Sequence, residues 1–250
     1  MTLREKLNWS GNSASRLKTV KETQDEIAAG KAQQVSYYWH VGETVNYAIE
    51  AYLDGNQETT ISAAKLVVDA TMLYFYGGWR ETLLNHEGKT GHEVWKNYLW
   101  YDEVQQSLPF AAALSDWDAV ARIAAYPPEN LSPDPAKAKG EGAWGWGLIL
   151  FLKNAHRQKI EDFLKRAEGD KAKRPKLLCP VLRALMDNDA DQYAKLLLVY
   201  LNYYRKSEFK HLVTKLVSLE GTTIYHLGRK QGFKITLPEN LATHVIRFED

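Results

Sequence analysis

Apolar residues recur at steps of three and four along almost the whole chain, which is the spacing of amphipathic α-helices. Over residues 31–54 the apolar stripe is one-sided and stops at Gly55-Asn56, whereas residues 59–76 are apolar on most sides and stop at Gly77-Gly78. We expect these two helices to form an antiparallel hairpin. The only strand-like alternation, Phe233–Leu237, is short and isolated. The pattern therefore predicts an all-α fold.

The same spacing predicts helices across the rest of the chain. They cover residues 93–107, 117–126, 144–155, 158–167, 176–186, 190–206, 208–219 and 222–231. Short polar links such as Ser115-Asp116 fit helix–turn–helix units of roughly 30 to 40 residues. No residue pattern recurs at a fixed period, so we predict packed antiparallel helical hairpins and leave a short repeat-like array as an alternative.

Charge is divided unevenly between the two halves of the chain. Up to Pro135 there are 11 Lys and Arg against 18 Asp and Glu, and from Ala136 onward there are 21 against 13. Four of the eight prolines lie in residues 127–135, where the sign changes. We predict a single all-helical domain over residues 1–250, with a boundary between half-structures at this loop as the alternative. The asymmetry points to interaction surfaces.

Targeting and membrane-spanning patterns are not found in the sequence. The first thirty residues carry regular charges without an apolar block, and no run of eighteen apolar residues occurs. Cys179 is the only cysteine and cannot form a disulfide within the chain. We therefore expect a cytoplasmic protein without a membrane partner.

Two motifs match known sites only in part. The run Gly140-Glu141-Gly142-Ala143-Trp144-Gly145 fits the glycine pattern of dinucleotide-binding folds, but residues 133–139 before it do not read as a buried strand. We expect these glycines to allow close helix packing, and we expect no cofactor. The run from His86 to His92 resembles a zinc-protease motif, but its spacing is wrong and its glycines break a helix, which predicts a loop.

His40 and Glu43 lie on one face of the helix predicted over residues 31–54, as in half of a metal site, with Glu50 two turns further along. Matching ligand pairs on other helices are not evident, so a His–Glu hydrogen bond is the favoured interpretation. Cys179 lies in an apolar context, where thiols tend to be inert. We predict a protein that is not an enzyme, without catalytic or metal-binding residues, and keep a metal-dependent helical enzyme as an alternative.

Two charged regions are candidate interaction surfaces. Carboxylates beside aromatic side chains suit a basic protein partner, and these partner-binding candidates are Trp100, Asp102, Glu103, Asp116, Trp117 and Asp118. Helix N-caps and core aromatics are the other interpretation. A basic run within residues 153–176 resembles a phosphate-binding patch, although a solvated helix end is favoured. A helical scaffold or nucleic-acid-binding adaptor therefore stays an alternative, while nucleic acid is not the partner we expect.

The segment Gly221–Phe233 has the pattern of a capped short helix with an apolar face, a basic end and a glycine stop. Together with the aromatic helix over residues 196–204 and Leu237-Pro238, it resembles the bacterial immunity protein 49 family of polymorphic toxin systems. The resemblance implies a helical, cytoplasmic protein that neutralises a cognate toxin delivered between neighbouring bacteria. We expect a rigid helical face to occlude the toxin's active site, with carboxylates contacting a basic toxin if that toxin acts on nucleic acid. Pairing of two copies is left open.

Overall fold

The computed structural model describes residues 13–95, 100–126, 135–206 and 216–248, and these residues form an all-α fold without any strand. In chain order, the helices are α1 (Ser13–Ala28), α2 (Gln34–Asp54), α3 (Gln57–Tyr76), α4 (Trp79–Thr82), α5 (Gly91–Trp95), α6 (Trp100–Ala113), α7 (Trp117–Ala125), α8 (Gly140–Leu152), α9 (Arg157–Glu168), α10 (Lys173–Met186), α11 (Ala190–Arg205), α12 (Leu219–Lys230) and α13 (Glu239–Ala242). The predicted all-α class is confirmed, whereas the arrangement as antiparallel hairpins or as a repeat-like array stays a prediction.

Most helix ends lie close to the predicted positions because local capping chemistry sets them. Helix α2 stops where Gly55 adopts a φ of 75° and its N–H donates to the carbonyl of Tyr52. Helix α3 starts after Asn56, whose side chain accepts a hydrogen bond from the N–H of Thr59. Helix α1 was not predicted, since Val20 is the one residue it buries and its apolar stripe is correspondingly weak.

One segment differs from its predicted structure, and two predicted helices include residues that the structure does not describe. The alternating stretch Phe233–Leu237 is not a strand, because no strand lies beside it among the described residues and its apolar side chains pack against the helices instead. The helix predicted over 93–107 is described as α5 and α6, with residues 96–99 outside the described part. Of the helix predicted over 208–219, residues 208–215 are not described, and residues 216–218 form a turn before α12.

Helix α12 lies at the centre of the molecule. Every residue from Leu219 to Gly228 is buried, and the helix packs against α6, α10 and α11. A Cβ at Gly221 would lie 2.8 Å from Leu201 Cδ2, and a Cβ at Gly228 would lie 2.6 Å from Tyr193 Cε1. The two glycines therefore allow α11 to approach this helix more closely than any other residue would permit.

Two clusters of buried side chains hold the helices together. The smaller one joins α1, α2 and α3 to α6 and to the chain flanking α12. The larger one takes residues from both sides of the proline-rich segment, from Val41 to Val245. Residues 127–134 of the predicted half-structure boundary lie outside the described residues, so the domain description stays a prediction. Among the described residues, no helix combines the length and apolarity needed to cross a membrane.

Candidate functional site

A groove of about 460 Å³ opens where α3, the α6–α7 connection and the C-terminal end of α12 meet. Helix α3 contributes Ile61 and Lys65, and the connection contributes Leu114 and Trp117. The last two turns of α12 and the chain near the C-terminus form the remaining walls, through His226, Arg229, Lys230 and Phe248. The groove therefore collects side chains from four distant parts of the sequence.

The tight connection between α6 and α7 fixes the position of Trp117. Ser115 adopts a positive φ of 56°, and Asp116 Oδ1 accepts a hydrogen bond of 2.9 Å from the N–H of Ala119, which caps α7. Trp117 thus begins the first turn of α7, with its side chain half-buried against the larger core cluster. Lys230 Nζ lies 4.3 Å from the centre of the Trp117 ring, a cation–π contact across the groove.

Backbone N–H groups cap the end of α12, which carries two cationic side chains. The carbonyls of Leu227, Gly228 and Arg229 accept hydrogen bonds from the N–H groups of Gln231, Phe233 and Gly232 respectively. The side chains of Arg229 and Lys230 are exposed and line the groove. Positive charge at this end also complements the helix dipole, which explains why a basic pair is stable there.

His226 anchors the chain near the C-terminus beneath the groove. Its Nε2 lies 2.8 Å from the carbonyl oxygen of Ile246, and because a carbonyl only accepts, Nε2 carries the proton. The N–H of Ile246 donates to Thr222 Oγ1. Burial lowers the pKa of His226 to about 4, so the ring is neutral at pH 7. These two bonds hold residues 246–248 against α12 and set Phe248 at the edge of the groove.

The charged side chains among the described residues that line the groove are cationic. They are Lys65, Arg229 and Lys230, and these described lining residues include no Asp or Glu. The other lining side chains include Ile61, Leu114 and the rings of Trp117 and Phe248, and the exposed surface of the groove is more polar than apolar. Aromatic and cationic side chains on one surface suit contact with a protein partner.

The sequence-based partner-binding candidates have different outcomes. Trp117 lines the groove, whereas Asp116 caps α7 and Asp118 is exposed in its first turn. The side chains of Trp100, Asp102 and Glu103 lie outside the described part of the structure. A single acidic surface made of all six residues therefore stays a prediction. The sequence pattern missed Lys65 and Phe248, because nothing in their spacing relates them to α12.

Three arginines of the basic run at residues 153–176 make contacts within the molecule. Arg157 Nη1 lies 2.6 Å from Asp187 Oδ1, and Arg174 Nη1 lies 2.7 Å from Glu220 Oε1. Arg166 Nη1 donates to the carbonyl of Pro135. These three guanidinium groups thus hold helices and loops together, which weakens the interpretation of the run as a phosphate-binding patch.

The two glutamates near His40 in the sequence form ion pairs with an arginine of α1. Glu43 and Glu50 both contact Arg16, at 3.1 and 3.4 Å, and no described hydrogen bond joins Glu43 to His40. His40 is buried, its Nδ1 has no partner within the described ranges, and burial lowers its pKa. No group of three His, Cys, Asp or Glu side chains suited to a metal ion occurs among the described residues.

The remaining motifs have structural roles. The run from Gly140 to Gly145 forms the first turns of α8. Just after it, a Cβ at Gly147 would lie 2.9 Å from Leu164 Cδ2, so this glycine allows α8 and α9 to pack closely. The loop after α4 is tied by Asn85 Oδ1, which accepts from the N–H groups of Glu87 and Lys89.

Two buried polar side chains outside the groove are enclosed by the core. Burial raises the pKa of the Cys179 thiol to about 12, which keeps it protonated. Arg80 is 2% exposed, and its guanidinium carbon lies within 6 Å of the ring centres of Tyr74, Trp79 and Tyr126. Its Nη1 donates to the Tyr74 hydroxyl, and cation–π attraction to the three rings also offsets part of the cost of burying the charge.

Comparison with family models, curated proteins and solved structures gave no match to this chain. The resemblance to immunity protein 49 therefore stays a prediction. Its motif, Gly221–Phe233, corresponds to α12 and the turn that follows, so the same residues form the centre of the core and one wall of the groove.

Proposed function

We propose that this protein binds a cognate bacterial toxin in the cytoplasm and neutralises it by covering the toxin's active site, with the groove as part of the contact surface. The observation that supports this proposal is that residues identified by two independent arguments lie in the same groove. Trp117 is a partner-binding candidate by its pattern, while His226, Arg229 and Lys230 belong to the segment that carries the family resemblance. All four line one groove.

The groove has the properties of a preformed binding surface. The helices that carry its lining residues are packed in the core. Helix α12 is buried over ten consecutive residues, and α3 packs against α2, α6 and α7. A rigid surface loses little conformational entropy on binding. Trp and Arg side chains are also the types that most often dominate the free energy of protein–protein association. Neutralisation by occlusion requires such a surface and no chemistry from this chain.

Co-expression with the toxin encoded by a neighbouring gene tests the proposal. We expect the protein to restore growth and to form a complex with the toxin on gel filtration. Replacing Trp117 by Ala or Lys230 by Glu should weaken the complex by about tenfold or more. The matched controls are Trp39→Ala, which removes an exposed Trp elsewhere, and Lys159→Glu on α9.

Absence of both growth rescue and a complex would refute neutralisation. If the toxin is bound and all four variants bind it equally, the protein neutralises through a surface other than the groove.

A further inference from the structure

We infer that Arg80 binds a small planar oxyanion with a single negative charge, of the chemical class of formate, acetate and bicarbonate. The site lies where α3, α4 and the C-terminal end of α7 meet, and Arg80 does not line the groove. The anion accepts hydrogen bonds from Nε and Nη2 of the guanidinium. This inference does not depend on the proposed function.

The unpaired donors of the guanidinium are the first argument. Arg80 is 2% exposed, and its Nη1 donates to the Tyr74 hydroxyl at 3.1 Å. Nε and Nη2 are buried, and no described group accepts a hydrogen bond from either nitrogen. Buried polar groups in folded proteins almost always have a partner. These two nitrogens therefore need an acceptor that the described side chains do not supply.

The charge of the buried guanidinium is the second argument. No ion pair among the described residues includes Arg80. Its guanidinium carbon lies 5.4, 5.5 and 5.8 Å from the ring centres of Tyr74, Trp79 and Tyr126, and this attraction offsets only part of the cost of removing a charge from water. One negative charge neutralises the guanidinium, whereas a divalent anion leaves a net charge in the core. The charge balance therefore favours a monovalent anion.

The geometry and burial of the guanidinium limit the shape and size of the anion. The N–H groups of Nε and Nη2 are parallel in any guanidinium, and they match the two oxygens of a carboxylate. The residues Tyr74, Trp79 and Tyr126 are at most 4% exposed, and a Cβ at Gly91 would lie 2.8 Å from Arg80 Cα. A polypeptide or a nucleic acid cannot reach a side chain enclosed in this way. An anion of a few heavy atoms can enter when the surrounding helices open locally.

Thermal unfolding of the full-length protein in sodium formate and in sodium chloride, at equal ionic strength, tests the inference. We expect formate to raise the Tm by about 5 °C relative to chloride when its concentration is about a hundred times its Kd. Equilibrium dialysis against radiolabelled formate should show saturable binding to a single site on each chain. Inorganic phosphate should raise the Tm less than formate, because its second negative charge is not balanced in the core.

Two variants of Arg80 distinguish binding at this site from a general effect of salt. Arg80→Met removes the charge and every donor, so formate and chloride should give the same Tm and labelled formate should no longer bind. Arg80→Lys keeps the charge but loses the parallel N–H groups, and it should weaken formate binding about tenfold or more. The matched control is Arg157→Met, which removes an arginine that is 53% exposed and should keep the full effect of formate.

Three results would overturn the inference. The first is an equal Tm in formate and chloride, or no saturable binding of labelled formate, which would indicate that water satisfies the guanidinium. The second is an effect of formate on Arg80→Met as large as that on the native protein. The third is stronger stabilisation by phosphate than by formate. If Arg80→Met does not fold, unchanged formate binding by Arg80→Lys would overturn the inference instead.

Discussion

Burial of the His226 ring links the protonation of one residue to the stability of the groove. The ring lies beneath the groove wall, and its bond to the carbonyl of Ile246 ties the chain near the C-terminus to α12. Burial is the main cause of its low pKa, and the charges of Arg229 and Arg247 lower the pKa further. Arg229, which lines the groove, thus also helps to keep the histidine beneath it neutral.

We predict that the free energy of unfolding falls as the pH drops from 6.5 to about 4. In this window the unfolded chain binds a proton at residue 226 and the folded chain does not, so stability is complete above 6.5 and decreases below it. The shift corresponds to about 3 kcal/mol. Urea unfolding across this window should show a shallower pH dependence for His226→Gln, which retains an N–H donor.

His86→Gln is the control, because its side chain is 88% exposed in the folded protein. Equal pH dependence for the native protein and His226→Gln would contradict the assignment of a neutral, buried ring.

At the scale of helices, a partly buried ion pair holds the start of α12. Arg174 of α10 contacts Glu220 at 2.7 Å and also approaches Glu141 of α8 at 3.4 Å. The Tyr200 hydroxyl of α11 lies 2.9 Å from Ser218 Oγ and 3.4 Å from Glu220 Oε2. One carboxylate in the first turn of α12 therefore connects α8, α10 and α11 to the central helix, a position in which the helix dipole also favours negative charge.

We predict that Arg174→Met lowers the free energy of unfolding by about 3 kcal/mol, because it leaves the Glu220 carboxylate buried without its cation. The double variant Arg174→Met/Glu220→Gln should recover most of this loss, since no charge is then buried. Arg157→Met provides the matched control: it breaks a contact of 2.6 Å with Asp187 in which both side chains are about half exposed, and should cost less than about 1 kcal/mol. A double variant no more stable than Arg174→Met would show that lost packing is the cause.

The sequence predicts those features of the fold that depend on residues close together in the chain, and it does not predict those that depend on packing between distant helices. Helix α7 follows from Asp116 and the apolar spacing after it, both of which act within a few residues. Helix α12 was predicted with one apolar face, but its complete burial was not, because Thr222, Thr223 and two glycines are not residue types that indicate a buried side. Its environment is set by neighbours such as α6 and α11, which sequence spacing does not reveal. The same limit explains why Trp117 was identified while the groove around it was not.

At the scale of the whole molecule, the uneven charge of the two halves does not correspond to separate cores. Helix α6 lies before the proline-rich segment and α12 lies after it, yet the two pack together. The larger cluster joins Phe75 and Tyr126 of the acidic half to Trp144 and Leu182 of the basic half. Interactions across this boundary bury apolar surface that each half alone would expose to water.

We therefore predict that the protein unfolds in one cooperative transition. Far-UV circular dichroism follows all helices, and thiol labelling of Cys179 follows the basic half alone, because this buried side chain is the only cysteine and reacts only after opening. Both signals should change at the same urea concentration. Fragments 1–126 and 135–250 should each lack a cooperative transition, because each contains only one of the two helices, α6 and α12, that pack together. A fragment that unfolds cooperatively, or thiol labelling that precedes the loss of helix, would instead favour two half-structures that meet at the proline-rich loop.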